Sequence, residues 1–293
     1  MPLVSSREIL TQARKKRYGV PSLLAGNLEL VIGPIMAAEE RKSPLILPFN
    51  QEVTPKIPME LGIPLAVNAA RKANVPIAVI LDHGKSIEDA LKAIYLGASS
   101  VMFDGSNLPY EENIKRTREV VRVAHALGAC VEAELGGISG SAGDLEDSGP
   151  QGSYPQVGPA VTDPDLAVDF VERTGVDTLA VSFGNAHGIY KEEPNLDLDR
   201  VRKIHALVDV PLVMHGASGL AEEEYPRIVE SGISKVCYYT AMGIGAANEL
   251  GTILADAGQD TIVYHHLISR AIDYFCAYTI RLLDILGCSG TAQ

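Results

Sequence analysis

Three histidines of the chain share one local sequence, each being followed directly by glycine. They are His83 in LDHG, His187 in NAHG and His215 in VMHG, each at or just beyond the carboxyl end of an apolar segment. Three imidazoles that converge on one point suit a divalent ion with a coordination position left open for water or substrate. Three unrelated core histidines are the alternative, but the same context would then recur three times by coincidence. The pattern therefore predicts a metal centre.

Carboxylates accompany these histidines. Asp82 directly precedes His83, Asp104 ends the next apolar segment, and Glu132 and Glu134 are two residues apart, so that they share one face of a strand. A carboxylate inside a protein is costly to bury unless it is paired or bound to a metal. A salt bridge to lysine or arginine explains any one of them equally well. Together with the histidines, they indicate a functional site.

Short apolar runs alternate with helical periodicity along the whole chain, and most of these runs are rich in Val, Leu and Ile, as in parallel strands covered on both faces. The predicted strands lie at 22–26, 45–49, 76–82, 99–104, 130–136, 178–183, 211–216 and 235–240. Eight such β-then-α units predict an α/β fold, a single (β/α)8 TIM barrel over residues 1–293, whose strand ends meet at one rim. An open doubly wound sheet is the alternative, but no G-x-G-x-x-G follows the first strand.

Residues 136–158, which follow the fifth predicted strand, are dense in Gly, Ser and Pro. This segment is too long for a simple connection inside a compact domain. Since it leaves the rim at which barrel enzymes carry their sites, we interpret it as a mobile active-site loop. A disordered surface insertion is the alternative.

The loops after the last two predicted strands are candidates for anion binding. In barrels, these loops often hold phosphate with backbone N–H groups at the start of a helix. Ser218 and Thr240 are possible hydroxyl donors, although either residue could instead be a helix N-cap. Lys191 could add a positive charge, or could be an ordinary surface lysine.

Composition excludes several classes of function. The net charge is −12, from 25 basic and 37 acidic residues, which argues against nucleic acid as a partner. The apolar runs are too short to span a bilayer, and the first residues do not resemble a signal peptide. The four cysteines form no CxxC pair, so we expect reduced thiols in a cytoplasmic protein.

The strings SVMFDGS, VEAELG and HGASG, in this order and within a similarity over nearly the whole chain, resemble the class II, metal-dependent ketose-bisphosphate aldolases, which include fructose- and tagatose-bisphosphate aldolases. The resemblance implies a lyase of carbohydrate metabolism, as in glycolysis. It would cleave or form a ketose (bis)phosphate through a metal-stabilised enediolate of dihydroxyacetone phosphate or a related ketone. It also implies zinc or another divalent metal, often with a monovalent cation, a sugar phosphate as substrate, and a homodimer or homotetramer.

The resemblance assigns roles residue by residue. His83, His187 and His215 match the catalytic metal ligands, and Asp104 and Glu134 match residues of a second metal position. Asp82 matches the acid that protonates the aldehyde oxygen when the bond is formed. Contacts to the phosphate end of the ketone match Gly188, Lys191, Gly216, Ala217 and Ser218. Arg281 falls near an arginine that in relatives helps to bind the second phosphate.

Several positions depart from the family pattern. Ser22, Leu23 and Leu24 replace the usual Ala-Phe-Asn, and Asn50 replaces a Ser or Thr. Cys237 replaces an asparagine that binds the substrate near its reacting carbons, and Tyr238 and Tyr239 follow it. The family usually carries a Gly-Gly-x-Glu-Asp motif, which is absent here. The candidate replacements for its glutamate are Asp144, Glu146 and Asp147. We therefore hypothesise that the lyase chemistry acts on a different substrate, in a less polar pocket.

Two other functions fit part of the pattern. A metal-dependent sugar-phosphate isomerase or epimerase on the same barrel would use the same intermediate but would yield no fragments. A non-catalytic sugar-phosphate-binding subunit would explain the altered positions, but the three intact histidines argue against it.

Overall fold

The structure is a computed structural model that describes residues 2–138, 161–190, 193–258 and 261–292. Within these ranges, eight parallel strands pair in chain order and close into a barrel, with β1 also pairing β8. The strands are β1 Val20–Leu23, β2 Leu45–Phe49, β3 Ile77–Gly84, β4 Ser100–Phe103, β5 Cys130–Leu135, β6 Thr178–Val181, β7 Leu212–Met214 and β8 Ile233–Tyr238. The prediction of a (β/α)8 barrel is confirmed.

A helix follows every strand, and two further helices flank the repeating units. The helices are α1 Ser6–Lys16, α2 Leu28–Arg41, α3 Met59–Ala70, α4 Ile87–Tyr95, α5 Tyr110–Ala126, α6 Pro164–Thr174, α7 Leu198–Leu207, α8 Glu224–Ser231, α9 Thr240–Ala257 and α10 Tyr264–Ile285. Among the described residues, no helix has both the length and the apolar character needed to cross a bilayer.

Alternation along the strands separates two cores. Leu45, Leu47 and Phe49 of β2 face the surrounding helices, whereas Ile46 belongs to a smaller cluster with Ile80. That smaller cluster fills the amino-terminal end of the barrel and includes Ile9, Leu10 and Ala13 of helix α1. Because α1 closes this end with apolar side chains, polar groups of the lumen are left to the opposite, carboxyl end of the strands.

The sequence of helix α1 itself favours helix formation at both ends. Ser5 caps it, accepting a hydrogen bond from the backbone N–H of Glu8, while the Glu8 carboxylate accepts one from the backbone of Ser5. Basic residues occupy its last turn, where they stabilise the helix dipole. The helix can therefore close the barrel floor as a stable unit.

Candidate metal centre

The three histidines singled out in the sequence meet at the open mouth of the barrel. His83 lies within β3, His187 follows the end of β6, and His215 follows β7 directly. The ring centroid of His83 is 5.2 Å from that of His187 and 4.6 Å from that of His215, and one ligand nitrogen from each histidine lies within 4.8 Å of the others. His83 and His215 are buried and His187 is half-buried. Three largely desolvated imidazoles around one point are a donor set that zinc prefers.

The end of β3 is bent at His83. Its φ of 50° lies in the left-handed region, and the pairing of β3 with β4 shifts register between Leu81 and Gly84. A non-glycine residue in this conformation costs on the order of 1 kcal/mol, a cost that tends to persist where function requires it. The bend places His83 Nδ1 3.0 Å from Asp104 Oδ2 on the neighbouring strand end.

A buried ion pair supports His215 from below. The Nε2 atom of His215 lies 3.0 Å from Glu132 Oε1, and the Lys235 ammonium donates to both oxygens of Glu132 at 2.9 and 2.8 Å. Burial alone would raise the pKa of Glu132, but the Lys235 charge and the bond to His215 lower it to about 2. A charged Glu132 accepts from Nε2, which leaves Nδ1 of His215 as the nitrogen that can ligate an ion.

A second group of ligands shares His83 with the first. One ligand atom each from His83, Asp104 and Glu134 lies within 4.8 Å of the others. Burial and the nearby charge of Asp104 raise the pKa of Glu134 to about 7. Its Oε2 is buried without a hydrogen-bond partner in the part of the chain that the structure describes. Lys85 donates to Asp104 Oδ2 at 2.7 Å, so a cationic group already neutralises this carboxylate.

Asp82 lines the same pocket as the three histidines. Its Oδ2 accepts a hydrogen bond from Asn50 Nδ2 at 3.3 Å, and its Oδ1 is buried without a partner within the described ranges. Burial raises the pKa of Asp82, but the positive charges on His83, His215 and Lys235 outweigh this and lower it. Asp82 is therefore a carboxylate with one oxygen free to face a substrate.

The loop after β7 is held in a fixed shape. Gly216 has a φ of 70°, and a Cβ at this position would collide with the carbonyl oxygen of Ala186. The N–H of Ala217 donates to the carbonyl oxygen of Cys237 at 3.1 Å, so Ala217 shapes the loop rather than offering its own N–H. The Ser218 hydroxyl accepts from the backbone N–H of Tyr239 at 3.1 Å, which leaves its proton available for a ligand.

Two residues that the sequence analysis did not single out connect the loops that follow β6 and β7. Asn185 donates from Nδ2 to the carbonyl oxygen of His215 at 2.9 Å, and its Oδ1 accepts from the N–H of Phe183 at 2.8 Å. The hydroxyl of Tyr190 accepts from the N–H of Ala186 at 3.0 Å. It also donates to the carbonyl oxygen of Gly216 at 2.7 Å. Both residues lie within three positions of His187, and this proximity was the available sequence signal.

Several of the departures from the family pattern also lie at the pocket. Ser22, Leu24 and Cys237 line it, and Ser22 pairs with Cys237 in the β1–β8 register. The Ser22 hydroxyl is buried without a partner among the described residues, and Cys237 Sγ is 3.9 Å from His215 Nε2. Val53 and Tyr239 add apolar surface. Of these lining side chains, Leu24 and Val53 carry no hydrogen-bonding group.

Most of the predicted site residues come together. The pocket is lined by Asp82, His83, His187, Gly188, His215, Gly216, Ser218, Cys237 and Thr240. Thr240 begins α9, and Asp104 and Glu134 lie beside His83. Lys191 and residues 139–158 of the predicted loop, with its acids Asp144, Glu146 and Asp147, lie outside the described residues. Arg281 is an exposed residue of α10 that pairs with Glu222, and it does not line the pocket.

The four remaining histidines lie on helices. His125 bonds Asp177 at 2.8 Å, and His205 contacts Arg14 at 2.9 Å. His265 and His266 are exposed on α10. Each of the four therefore stands apart from the barrel mouth.

Comparison with known proteins points to one family. The sequence model described as "Fructose-bisphosphate aldolase class-II" matches residues 4–291. The chain resembles the solved structure of the YdjI aldolase from Escherichia coli K12, with 33% identity, a TM-score of 0.85, and coverage of 99% of this chain and 100% of that chain. A putative fructose-1,6-biphosphate aldolase from Coccidioides immitis is 28% identical, with a TM-score of 0.81 and coverage of 97% and 96%. Fructose-bisphosphate aldolase from Campylobacter jejuni, 20% identical over 98% and 96% of the two chains, shares the fold with a TM-score of 0.78.

Proposed function

The chain belongs to the class II fructose-bisphosphate aldolase family, and on that premise we propose that it is a zinc-dependent aldolase that cleaves and forms a carbon–carbon bond of a phosphorylated ketose. The observation that carries the proposal is the convergence of His83, His187 and His215 within 4.8 Å at the barrel mouth, with Asp82 lining the same pocket. Family membership makes the chain a lyase, which displaces the isomerase or epimerase and the non-catalytic subunit considered from the sequence.

His83, His187 and His215 would hold the ion, and their chemistry fits it. Glu132 holds the proton on Nε2 of His215, and Asp104 lies at hydrogen-bond distance from Nδ1 of His83, so each of these imidazoles keeps its other nitrogen for a ligand role. A divalent ion bound there supplies Lewis-acid polarisation of the substrate carbonyl. We assign Asp104 and Glu134 to a second metal position, at which Lys85 would have to give up its bond to Asp104.

We assign the proton transfer at the substrate hydroxyl to Asp82. In the direction of cleavage, its carboxylate accepts the proton of the hydroxyl beside the breaking bond, and in the reverse direction it returns that proton to the aldehyde oxygen. The lowered pKa keeps Asp82 ionised at neutral pH, as cleavage requires. Asn50 bonds one carboxylate oxygen, and the other has no hydrogen-bond partner among the described residues.

We assign the phosphate end of the substrate to Gly188, Gly216, Ser218 and Thr240, with Lys191 as an added positive charge. Ser218 offers a hydroxyl proton, and Thr240 stands at the amino end of α9, where the helix dipole favours an anion. Ala217 shapes this loop through its bond to Cys237.

The substrate differs, we propose, from fructose and tagatose bisphosphates. Leu24 and Cys237 present little hydrogen-bonding capacity where the family pattern has asparagines, Val53 adds an apolar side chain, and the Ser22 hydroxyl has no partner among the described residues. A site built to bond a substrate hydroxyl discriminates strongly, so losing such groups changes which ketose is accepted. Assays of the zinc-loaded protein against a panel of ketose mono- and bisphosphates test this, and rapid turnover of fructose or tagatose bisphosphate would reject the idea.

Three further assignments accompany the proposal, of which the cation and the oligomer follow the family and the location follows the four cysteines, which form no CxxC pair. A monovalent cation assists the site, the chain works in the cytoplasm, and it forms a homodimer or homotetramer. Light scattering of the purified protein tests the last of these, and a monomeric mass at working concentration would contradict it.

A further inference from the structure

We propose that Tyr190 is a positioning residue whose hydroxyl couples metal binding to phosphate binding, an inference that rests on the proposed function. The residue sits between two loops that each carry a metal ligand and at least one residue assigned to phosphate. One loop carries the metal ligand His187, and the other begins at the metal ligand His215 and continues into the phosphate-binding residues Gly216 and Ser218.

The Tyr190 hydroxyl uses both of its capacities to join these loops. Its oxygen accepts from the N–H of Ala186 at 3.0 Å, and its proton goes to the carbonyl oxygen of Gly216 at 2.7 Å. Ala186 immediately precedes His187, and Gly216 immediately follows His215. One hydroxyl therefore sets the separation of two backbone segments that each carry a metal ligand.

A second contact makes the two loops a single unit. Asn185, only 3% exposed, donates to the carbonyl oxygen of His215 at 2.9 Å. The α-carbon of Gly216 also lies so close to the carbonyl group of Ala186 that a methyl group would not fit between them. In packing this tight, a displacement of the His187 loop shifts Gly216, and the reverse also holds.

Energetic coupling between two binding sites is reciprocal. If an ion on the histidines fixes the two loops, it also fixes the residues that receive phosphate, and phosphate must then raise the affinity for the ion by the same factor. Attraction between the two ligands gives some coupling by charge alone. The part that depends on Tyr190 is the part carried by its two hydrogen bonds, whose loss corresponds to about a tenfold change in affinity.

Two other tyrosines provide matched controls. The Tyr225 hydroxyl donates to the carbonyl oxygen of Ala217 at 2.8 Å, so it contacts the phosphate loop but not the His187 loop. The Tyr110 hydroxyl lies 3.0 Å from the carbonyl oxygen of Leu166 and 2.8 Å from Asp169 Oδ2, on the outside of the barrel, and its one proton goes to one of these two acceptors. A Tyr→Phe change at each position removes only a hydroxyl.

The experiment measures zinc affinity by competition with a chromogenic chelator, with and without saturating methyl phosphate, in the full-length chain. Methyl phosphate lacks the ketone and the carbon-bound hydroxyl through which a ketose phosphate would reach the ion while its phosphate group is bound in the loop. The ratio of the two affinities is the coupling factor. It is compared in the wild type, Tyr190→Phe, Tyr225→Phe and Tyr110→Phe, after thermal melting has shown that each variant is folded.

The proposal expects the wild type to bind zinc several-fold more tightly with methyl phosphate present. Tyr190→Phe should lose about tenfold in zinc affinity alone and most of the coupling factor. Tyr225→Phe should weaken methyl phosphate binding while leaving zinc affinity without the anion unchanged, and Tyr110→Phe should match the wild type.

A coupling factor of one in the wild type, or an equal factor in Tyr190→Phe, overturns the proposal. If Tyr190→Phe does not fold, Tyr190→Met, which also lacks the hydroxyl, is measured in its place by the same criteria. Failure of the zinc-loaded wild type to bind methyl phosphate at all has a separate meaning. That result would reject the phosphate site of the proposed function and, with it, the coupling. Normal methyl phosphate binding without coupling would reject only the role of Tyr190.

Discussion

The Nε2 atom of His215 lies 3.0 Å from the Oε1 atom of Glu132, beneath the mouth of the barrel. Glu132 is fully buried, and its charge is balanced by the equally buried Lys235. A metal-ligating imidazole commonly gives its second nitrogen to a carboxylate, which fixes both the orientation and the tautomer of the ring. Glu132 therefore contributes both to the stability of the barrel interior and to the orientation of the metal ligand at its mouth.

Replacing Glu132 by glutamine should lower zinc affinity about 10- to 100-fold, because a neutral amide no longer holds the His215 ring as firmly. The same change leaves the Lys235 ammonium buried without its partner, which should cost about 3–5 kcal/mol of unfolding free energy. Chelator competition and urea denaturation measure the two effects. The double variant Glu132→Gln, Lys235→Met should regain stability without regaining zinc affinity, and recovery of both would contradict the assigned role of Glu132.

Asp82→Asn should reduce kcat about 10²- to 10⁴-fold, because the amide cannot accept the substrate proton. Zinc content should stay at the wild-type level, since Asp82 is not assigned as a ligand. Steady-state kinetics together with metal analysis check both statements. Asp256→Asn, an exposed change of the same kind on α9, serves as the control. A parallel loss of zinc would instead place Asp82 among the ligands.

Gly216→Ala and Gly188→Ala make a matched pair at the phosphate end. Both residues have positive φ, 70° and 90°, so each alanine carries a strain of about 1–2 kcal/mol. Only the methyl group at 216 collides with Ala186, whereas the one at 188 meets no atom within 4 Å among the described residues. Gly216→Ala should therefore unfold at lower urea and raise KM more than Gly188→Ala. Equal effects of the two changes would show that the close contact between Gly216 and Ala186 affects neither stability nor KM.

The pH dependence of stability should contain a contribution from His205. Burial and the neighbouring Arg14 guanidinium lower the pKa of His205 below 6.5, so the folded state keeps this ring neutral. The unfolded state then takes up the proton first as the pH falls. Stability is unaffected above pH 6.5 and is lost as the pH falls from 6.5 toward the lowered pKa.

Melting temperatures of the wild type and His205→Gln between pH 8 and 5 measure this contribution. The difference between the two melting temperatures should be constant above pH 6.5. Below pH 6.5, the melting temperature of the wild type should fall relative to that of His205→Gln. A difference that stays constant throughout would show that His205 titrates identically in both states.

The positions of the strands were predictable from their apolar runs, although their ends were less so. The run predicted at 45–49 coincides with β2, Leu45–Phe49. The first run, predicted at 22–26, includes Leu24 and Ala25, whereas β1 is Val20–Leu23. Leu24 and Ala25 are buried beyond the end of β1, and the N–H of Ala25 still donates to the carbonyl oxygen of Pro48 in β2 at 2.8 Å, whereas the pairing of β1 with β8 ends at Leu23 and Tyr238. Hydrophobicity thus reports burial, whereas the end of β1 coincides with the end of its pairing with β8.

The support beneath the metal site was not predictable from the sequence. Glu132 and Lys235 lie on β5 and β8, which are not neighbours, so their ion pair forms across the lumen. Strand alternation predicts which face each side chain takes, but not which residues meet inside a closed barrel. The roles of Asn185 and Tyr190 depend likewise on two loops that touch only in the folded chain.

The most direct test of the account is an assay of carbon–carbon cleavage with a panel of phosphorylated ketoses, using protein stripped of metal, restored with zinc, and altered at His187→Ala. We expect two fragments from at least one ketose phosphate with the zinc-restored wild type. The stripped protein and His187→Ala should give none, and His266→Ala, changed at an exposed histidine of α10, should match the wild type. Cleavage that persists in stripped protein or in His187→Ala, or a product that conserves the mass of the substrate, would contradict it.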